Sequence, residues 1–214
     1  MTGAEKMIHI RKVFHELYPE ADCSLDYKDP LQLLIATELA TQCTDARVNI
    51  VTIGLFQKYK TAEDFANANL EELEQVIKST GFYHNKAKNI IGTCKFLLHE
   101  FGGNVPDTME DLLKLPGVGR KIANLILGDV YHIPGIVVDT HCIRLANRIG
   151  LTKDKNPLKI EKDLLKIVPK DYQITFCHQL VLHGRAVCNA RKPNCETCKI
   201  RHYCRFFKDD SIQK

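Results

Sequence analysis

The sequence predicts an all-α protein of about ten short helices. Apolar residues recur at helical spacing along almost the whole chain of 214 residues, and no segment alternates with period two for long. Glycine and proline separate the periodic segments. The short β-branched run Ile136-Val137-Val138 is the one extended stretch that we predict. The length fits either one large domain or two interleaved smaller ones.

Apolar faces, caps and breaks place the helices in order. The first helix carries its apolar face on Met7, Ile10, Val13, Phe14 and Leu17. Asp29 as N-cap and Pro30 as the first helical residue begin the second helix. Thr108, with Asp111 three residues later, resembles a capping box before a hairpin at 115–119. The other periodic segments cover about 45–57, 70–79, 86–100, 120–131, 140–149, 157–168 and 172–183.

The charge of the chain is concentrated in one place. The sequence has 30 Lys and Arg against 26 Asp and Glu, a net charge of +4. Residues 185–208, which we call the basic segment, contain seven Lys or Arg and one Glu, so this segment carries +6 and the rest of the chain −2. A basic run is often only a solvated face. Because four of the nine cysteines lie in the same segment, we favour a surface that binds a polyanion.

The N-terminus and the cysteine count indicate the compartment. The first residues, MTGAEKMIHIRK, carry charges and lack the apolar centre of a signal peptide, and no apolar run reaches about 18 residues. We therefore expect no secretory signal, no membrane contact and a cytoplasmic location. Nine cysteines cannot all pair within one chain, so we predict thiols that stay reduced or bind metal.

The string Leu115-Pro116-Gly117-Val118-Gly119-Arg120-Lys121 places two glycines one residue apart between two apolar helices. Glycines permit positive φ and leave backbone N–H groups open, and the next helix presents its positive end, so the turn can hold a phosphate. A plain helix–helix turn is the alternative. The apolar residues packed around the string favour a helix-hairpin-helix, which binds a DNA backbone without reading its sequence.

Lys121 falls in the first turn of the helix that follows the hairpin, beside Arg120. Most lysines in such positions are merely exposed. The helix N-terminus and the adjacent guanidinium nevertheless disfavour a further positive charge, and burial would add to this effect. Since a neutral amine forms Schiff bases with carbonyl carbons, Lys121 is a candidate nucleophile.

Asp139 ends the extended apolar run in Val138-Asp139-Thr140-His141 and precedes a predicted helix. Its simplest role is that of an N-cap. A carboxylate that cap bonds keep ionised can also face a developing positive charge, so the cap and a catalytic role are compatible.

The cysteines of the basic segment have the spacing Cys188-x6-Cys195-x2-Cys198-x5-Cys204. Structural zinc sites usually use two close pairs, and only Cys195 and Cys198 form one. The uneven short spacing favours a [4Fe-4S] cluster in the loop 188–204 over zinc, and the compartment disfavours disulfides. The cysteines outside this loop are most simply small buried apolar residues, namely Cys23, Cys43, Cys94, Cys142 and Cys177.

These strings occur together in one family. With His183-Gly184-Arg185, Ala190-Arg191-Lys192-Pro193, the string from Leu39 to Asp45 and the string from Gly81 to Ala87, the chain resembles the bacterial endonuclease III family of DNA repair glycosylases over nearly its whole length. The resemblance implies two helical domains with a DNA cleft between them. One is a six-helix barrel over 23–132, with the helix-hairpin-helix at about 108–130. The other is an iron-sulfur cluster domain formed by 1–22 and 133–214.

The resemblance also implies a reaction and its residues. The partner is duplex DNA with a damaged pyrimidine or an abasic site, and a damaged base leaves the stack before it is attacked. Lys121 attacks C1′ of the sugar, Asp139 stabilises the cationic sugar, and β-elimination nicks the strand. DNA contacts fall to Gln42 and Phe82, which fill or wedge the vacated space, and to Gly117, Gly119, Arg120, Arg191 and Lys192. Without the resemblance, Gln42 is a helix-surface residue and Phe82 a core residue.

Two other functions stay open at this point. A monofunctional mismatch glycosylase of the same fold would release a base without cutting the strand. Relatives of this kind, such as adenine glycosylases, lack the lysine and carry an additional C-terminal domain, for which we expect no room in this chain. A non-catalytic helix-hairpin-helix protein with a structural metal would bind DNA only. We expect a monomer that associates with the nucleoid.

Overall fold

The computed structural model describes residues 1–212, and all regular secondary structure within them is helical, which confirms the all-α class. The α-helices are α1 Gly3–Leu17, α2 Pro30–Leu39, α3 Asp45–Lys58, α4 Ala62–Ala66, α5 Leu70–Ile77, α6 Tyr83–Phe101, α7 Met109–Leu112, α8 Arg120–Asp129, α9 Thr140–Ile149, α10 Pro157–Ile167, α11 Gln173–Ala186 and α12 Arg205–Ile212. Short 3₁₀ turns cover Lys78–Thr80, Lys170–Tyr172 and Arg201–Tyr203. No helix among these residues is long and apolar enough to cross a bilayer.

The described residues contain twelve α-helices where the sequence predicted about ten. The helices that the prediction missed are α4, which has only five residues, and α12, which lies in the basic segment and beyond. A five-residue helix is too short to show an apolar period, and α4 depends instead on a capping box between Thr61 and Asp64. The run 136–138 forms no strand, although Ile136 and Val137 are buried.

The predicted caps are present. The Asp29 carboxylate accepts a hydrogen bond from the backbone N–H of Gln32 at 2.9 Å, with Pro30 in the first helical position. The Thr108 hydroxyl accepts from the backbone N–H of Asp111 at 3.1 Å. These side chains satisfy N–H groups that have no partner within the helix.

The chain divides into two compact units. The first, which we call the central unit, is Cys23–Ile133 and contains α2 to α8. Its core is built around α2, whose residues Leu33–Leu39 are all buried. Helices α3, α6 and α8 pack on α2. The surrounding helices therefore enclose α2 from Leu33 to its C-terminal end at Leu39.

The second unit, the terminal unit, consists of Met1–Asp22 and the chain from Pro134 onward. Here α9 packs on α11, and α1 packs on α10. Phe14 of α1 stacks on Phe176 of α11 with ring centroids 6.4 Å apart. The buried Gln179 amide donates to the carbonyls of Phe14 and Tyr18 at 3.2 and 3.1 Å. The N-terminal helix is therefore bonded into the core formed by the C-terminal helices.

Candidate functional site

The hairpin, residues 115–119, is fixed in the central unit by apolar anchors. Leu115 and Val118 are buried, and the Val118 N–H donates to the Leu115 carbonyl at 3.1 Å. Gly117 has a φ of 78°, and a Cβ at this position would lie 2.8 Å from Asn89 Nδ2. Glycine is thus required at 117 for both conformation and space.

Gly119 differs from Gly117. Its φ is −95°, so only Gly117 uses the positive φ that glycine permits. No atom beyond Gly119 and its chain neighbours lies within 4 Å of a Cβ built at Gly119, and no side chain caps α8. The space beside Gly119 at the start of α8 is therefore open, as an anion site at a helix N-terminus requires. Arg120 and Lys121 in this first turn are exposed, so the predicted contribution of burial at Lys121 is absent.

Gln42 and Phe82 lie on two exposed turns of the central unit. Gln42 follows the end of α2 with a φ of 54°, and Phe82 precedes α6 with a φ of 48°. Phe82 is 63% exposed, so the alternative that placed it in the core is wrong. Gln42 belongs to a turn rather than a helix surface. Left-handed backbone at non-glycine residues is strained and is enriched at functional sites.

A residue that the sequence did not single out connects these two turns. Lys86 on α6 is only 5% exposed, and its Nζ donates to the carbonyls of Leu39 and Thr80, each at 2.8 Å. Leu39 ends α2, three residues before Gln42, and Thr80 lies two residues before Phe82. Burial lowers the pKa of Lys86 from its ordinary value.

Asp139 is the N-cap of α9 in the terminal unit, as predicted. Its Oδ1 accepts from the Cys142 N–H at 2.7 Å, and the residue is half-buried. One turn further, Arg144 donates from Nη2 to the Gly184 carbonyl at 3.1 Å and from Nε to the Cys188 carbonyl at 3.2 Å. Helix α9, which Asp139 caps, therefore also contacts the backbone carbonyl of Cys188, the first predicted metal ligand.

The four cysteines of the loop 188–204, which we call the cluster loop, line one cavity. All four are half-buried and none forms a disulfide. Apolar side chains close the cavity, namely Leu145, Ile149, Val187, Pro193, Ile200, Phe206 and Phe207. A set of four thiols in an apolar enclosure fits an iron-sulfur cluster.

The sulfur atoms have polar neighbours within the terminal unit. Arg148 Nη1 donates to Cys188 Sγ at 3.4 Å, and His183 Nε2 lies 3.5 Å from Cys198 Sγ. Burial lowers the pKa of His183 to about 4, so this imidazole is neutral at pH 7. Burial also raises the pKa of Cys198 to about 11. A thiolate at Cys198 therefore needs a bound cation to stabilise it.

Arg148 also supports the exposed pair Arg191 and Lys192 of the cluster loop. Its Nη1 and Nη2 donate to the carbonyls of Asn189 and Ala190, both at 2.7 Å. The bidentate guanidinium thus fixes the backbone just before the two basic residues. Nothing in the local sequence signals this role of Arg148, because the two carbonyls that it bonds lie about 40 residues away.

The other five cysteines only partly follow the prediction. Cys94, Cys142 and Cys177 are buried. Cys23 and Cys43 are half-buried, so the prediction of small buried apolar residues is wrong for these two.

The comparisons with known proteins agree on one family. Residues 35–170 match the HhH-GPD superfamily of base excision DNA repair proteins. Endonuclease III of Synechocystis sp. (strain ATCC 27184 / PCC 6803 / Kazusa) is 50% identical over 201 residues, 94% of this chain and 92% of that protein. A solved structure of a trapped covalent intermediate between endonuclease III and DNA is 41% identical, with a TM-score of 0.93 over 99% of both chains.

A solved thermostable thymine-DNA glycosylase has a TM-score of 0.88 over 96% of this chain and 98% of its own, at 22% identity, which shows a shared fold alone. The family model covers more than half of this chain, and the identity to endonuclease III extends over nearly all of it. The chain therefore belongs to the endonuclease III family within the HhH-GPD superfamily of base excision DNA repair proteins.

Proposed function

We propose that this protein removes damaged pyrimidines from duplex DNA and then cleaves the abasic site by β-elimination through a Schiff base at Lys121. The observation that carries this proposal is an exposed lysine in the uncapped first turn of α8, directly after the hairpin. The relative that is 41% identical over 99% of both chains forms a covalent intermediate with DNA. A covalent intermediate requires a nucleophile, and Lys121 is suited to this role.

The proposed reaction assigns each step to a residue. The Nζ of Lys121 attacks C1′ of the deoxyribose, the bond from C1′ to the base breaks, and the amine loses a proton. Asp139 stabilises the cationic sugar and accepts that proton. Ring opening then gives an imine between Lys121 and C1′, and loss of a C2′ proton expels the 3′ phosphate. The cap bond to Cys142 uses one oxygen of Asp139 and orients the carboxylate.

The hairpin would bind phosphates next to the flipped nucleotide. The open space over Gly119 would let a phosphate approach the backbone, and the start of α8, which has no side-chain cap, would supply N–H donors to it. Arg120 adds a positive charge in the same turn. None of these contacts reads a base, so the binding is independent of sequence.

Gln42 and Phe82 would occupy the space that the flipped base leaves. An exposed aromatic ring can stack on a neighbouring base, and an exposed amide can pair with the orphaned partner base. Their left-handed backbones and the common anchor at Lys86 keep both turns in fixed positions. A fixed wedge enters the base stack at less cost in conformational entropy than a mobile one.

Borohydride trapping on a duplex with one abasic site tests the lyase step. Borohydride reduces the imine to a stable amine, so the wild-type protein should form a covalent adduct with DNA and Lys121→Ala should form none. Lys95→Ala, which removes an exposed lysine elsewhere in the central unit, is the matched control and should trap normally. An adduct of normal yield in Lys121→Ala would refute the role of Lys121. Base release without strand scission by the wild-type protein would identify a monofunctional glycosylase instead.

We further propose that Cys188, Cys195, Cys198 and Cys204 bind a [4Fe-4S] cluster. Its support is the shared cavity, the apolar enclosure and the four-thiol donor set. When bound, the cluster would cross-link the cluster loop and supply no redox step to the reaction. Arg191 and Lys192 would then contact phosphates from a loop of fixed shape.

Metal analysis tests the cluster. The purified protein should be brown and contain about four irons per chain, as a cubane requires. Cys198→Ser should lose iron, whereas Cys43→Ser, which changes a half-buried thiol outside the cluster loop, should keep it. A colourless wild-type protein with one zinc per chain would refute the proposal.

The proposed division of labour follows the two units. The central unit would form the barrel that binds the damaged strand through the hairpin, and the terminal unit would bind DNA through the basic segment. Because both contacts release counterions from phosphates, duplex affinity should fall steeply with salt. A flat salt response would contradict both contacts. We propose that the protein acts as a cytoplasmic monomer on the nucleoid.

A further inference from the structure

A buried carboxyl group lies behind the hairpin and is not used by the proposed reaction. Glu38 on α2 is 5% exposed, and its Oε1 is 3.2 Å from the hydroxyl of Thr93 on α6. Its Oε2 is buried and has no hydrogen-bond partner. The same Thr93 hydroxyl lies 2.8 Å from the carbonyl oxygen of Pro116 in the hairpin. Glu38, Thr93 and Pro116 of the central unit thus form one series of hydrogen-bonding groups from α2 to the hairpin.

The number of protons shared by Glu38 and Thr93 decides the direction of the hydrogen bonds among these three groups. Thr93 has a single hydroxyl proton, whereas an ionised Glu38 and the Pro116 carbonyl are both acceptors. If Glu38 is a neutral acid, its own proton satisfies Thr93, and Thr93 can donate to Pro116. If Glu38 is ionised, the carboxylate competes for the proton of Thr93, and charge-assisted hydrogen bonds are the stronger ones. The Pro116 carbonyl then loses its donor.

The surroundings favour the neutral acid near neutral pH. Burial raises the pKa of Glu38 to about 8, and the bond to Thr93 acts weakly against this. A buried carboxylate with one unpartnered oxygen would carry a large desolvation cost. A protonated carboxyl that donates a hydrogen bond avoids this cost.

The other titratable groups around Glu38 do not neutralise it. On α6, the buried Cys94 interacts with Glu38, and burial raises the pKa of this thiol to about 12, so it stays uncharged. Lys86, also on α6, uses its ammonium on the carbonyls of Leu39 and Thr80. Helices α3 and α8, which also pack on α2, carry their charged residues at exposed or half-buried positions, namely Asp45, Arg47, Lys58, Arg120, Lys121 and Asp129.

We propose that Glu38 is a positioning residue for the hairpin, which it holds through Thr93 while it is protonated and releases when it ionises. This inference rests on the proposed function in one respect, the role of the hairpin in binding DNA. Pro116 lies against α6, where a Cβ on Gly92 would be 3.7 Å from its ring, and it precedes the tightly packed Gly117. Loss of the Pro116 hydrogen bond therefore loosens the turn that presents the first N–H groups of α8.

Hydrogen exchange of the hairpin amides tests the switch without DNA. We compare wild-type protein with Glu38→Gln, whose amide N–H₂ donates to Thr93 at every pH. The ratio of their exchange rates at 117–119 cancels the intrinsic pH dependence of exchange. It should be constant below about pH 7 and rise about 3- to 10-fold by pH 9, as expected for the loss of one hydrogen bond. A ratio that stays constant to pH 9 would overturn the proposal.

Variants of Thr93 separate the switch from a merely structural effect. Thr93→Val removes the hydroxyl, so the hairpin amides should exchange fast at all pH values. The rise in exchange between pH 7 and pH 9, which we call the step, should then be absent. Thr93→Ser keeps the hydroxyl and should keep the step. A step in Thr93→Val would show that another group titrates, and it would overturn the role of this series of groups.

Thermal stability gives a second readout that is independent of DNA. The folded protein keeps the Glu38 proton up to about pH 8, whereas the unfolded chain releases it near 4.5. Wild-type stability should therefore fall relative to Glu38→Gln as pH rises from 4.5 to 8, and the difference should stay constant above pH 8. A difference that does not change with pH would contradict the buried neutral acid.

Duplex affinity then separates this inference from the proposed function. Wild-type protein should lose affinity for an abasic duplex relative to Glu38→Gln as pH passes 8. If hydrogen exchange shows the step but the affinity ratio does not, the hairpin's role in DNA binding is refuted and the role of Glu38 stands. If hydrogen exchange shows no step, the role of Glu38 is refuted whatever the DNA data show.

Discussion

The hairpin and the cluster loop both present residues that we assign to DNA, but they are held in different ways. The hairpin is anchored by the buried Leu115 and Val118, and its Gly117 packs against Asn89. In the cluster loop, Ile200 is the single buried residue between 188 and 204. The hairpin is therefore part of an apolar core, whereas the cluster loop depends on Arg144, Arg148 and the proposed metal.

The two regions are therefore sensitive to different substitutions. A core-anchored turn fails when a buried contact or a backbone conformation is changed. A polar loop with little apolar area fails when its specific bonds are removed, because nothing else offsets the entropy of ordering it.

Asp139→Asn should abolish most activity without changing the scaffold that holds the cluster loop. Asn caps helices about as well as Asp, so the free energy of unfolding should change by less than about 0.5 kcal/mol. Loss of the carboxylate charge should slow single-turnover base release by about 100-fold or more. Asp139→Ala is the control that also loses the cap, at about 1 kcal/mol. Normal base release by Asp139→Asn would leave Asp139 as a cap only.

Lys86→Met should destabilise the central unit by about 2–4 kcal/mol, because two buried carbonyls lose their donor. Chemical denaturation measures this loss. Lys88→Met, on the exposed face of the same helix, is the matched control and should stay within about 0.5 kcal/mol. Iron content should be unchanged in both variants. Iron loss in Lys86→Met would show that the two regions are not held independently.

The sequence predicts the parts of this contrast that depend on neighbouring residues, and it misses those that depend on bonds between residues far apart in the chain. The hairpin, the four cysteines and the Asp139 cap are local strings, so their chemistry is visible in adjacent residues. Lys86 and Arg148 are not predictable in this way, because Lys86 bonds the Leu39 carbonyl 47 residues away and Arg148 bonds the Asn189 carbonyl 41 residues away. A buried lysine on an amphipathic helix looks like a surface residue until the fold is known. The negative φ of Gly119 could not be predicted from the sequence either, since a glycine permits either sign of φ.

The two glycines of the hairpin provide a matched pair. Gly117→Ala should cost about 1–2 kcal/mol, because alanine is strained at a φ of 78° and its Cβ would meet Asn89 at 2.8 Å. Gly119→Ala should stay within about 0.5 kcal/mol, since its φ is ordinary and the space is open. Thermal unfolding measures both. Equal costs at 117 and 119 would contradict the core-anchored description of the hairpin.

Arg148→Lys should have the smallest effect, and it should be confined to the cluster loop. An ammonium is a point donor and cannot bond the Asn189 and Ala190 carbonyls in the fork geometry of a guanidinium. Loss of one such bond amounts to about 1 kcal/mol, so duplex affinity at low salt should fall about fivefold. Lys199→Ala, which removes an exposed charge from the same loop, is the control for charge alone. Hydrogen exchange of the backbone amides at 189–192 checks this prediction. If these amides exchange no faster in Arg148→Lys than in the wild-type protein, the loop is ordered by the cysteines and their metal rather than by Arg148.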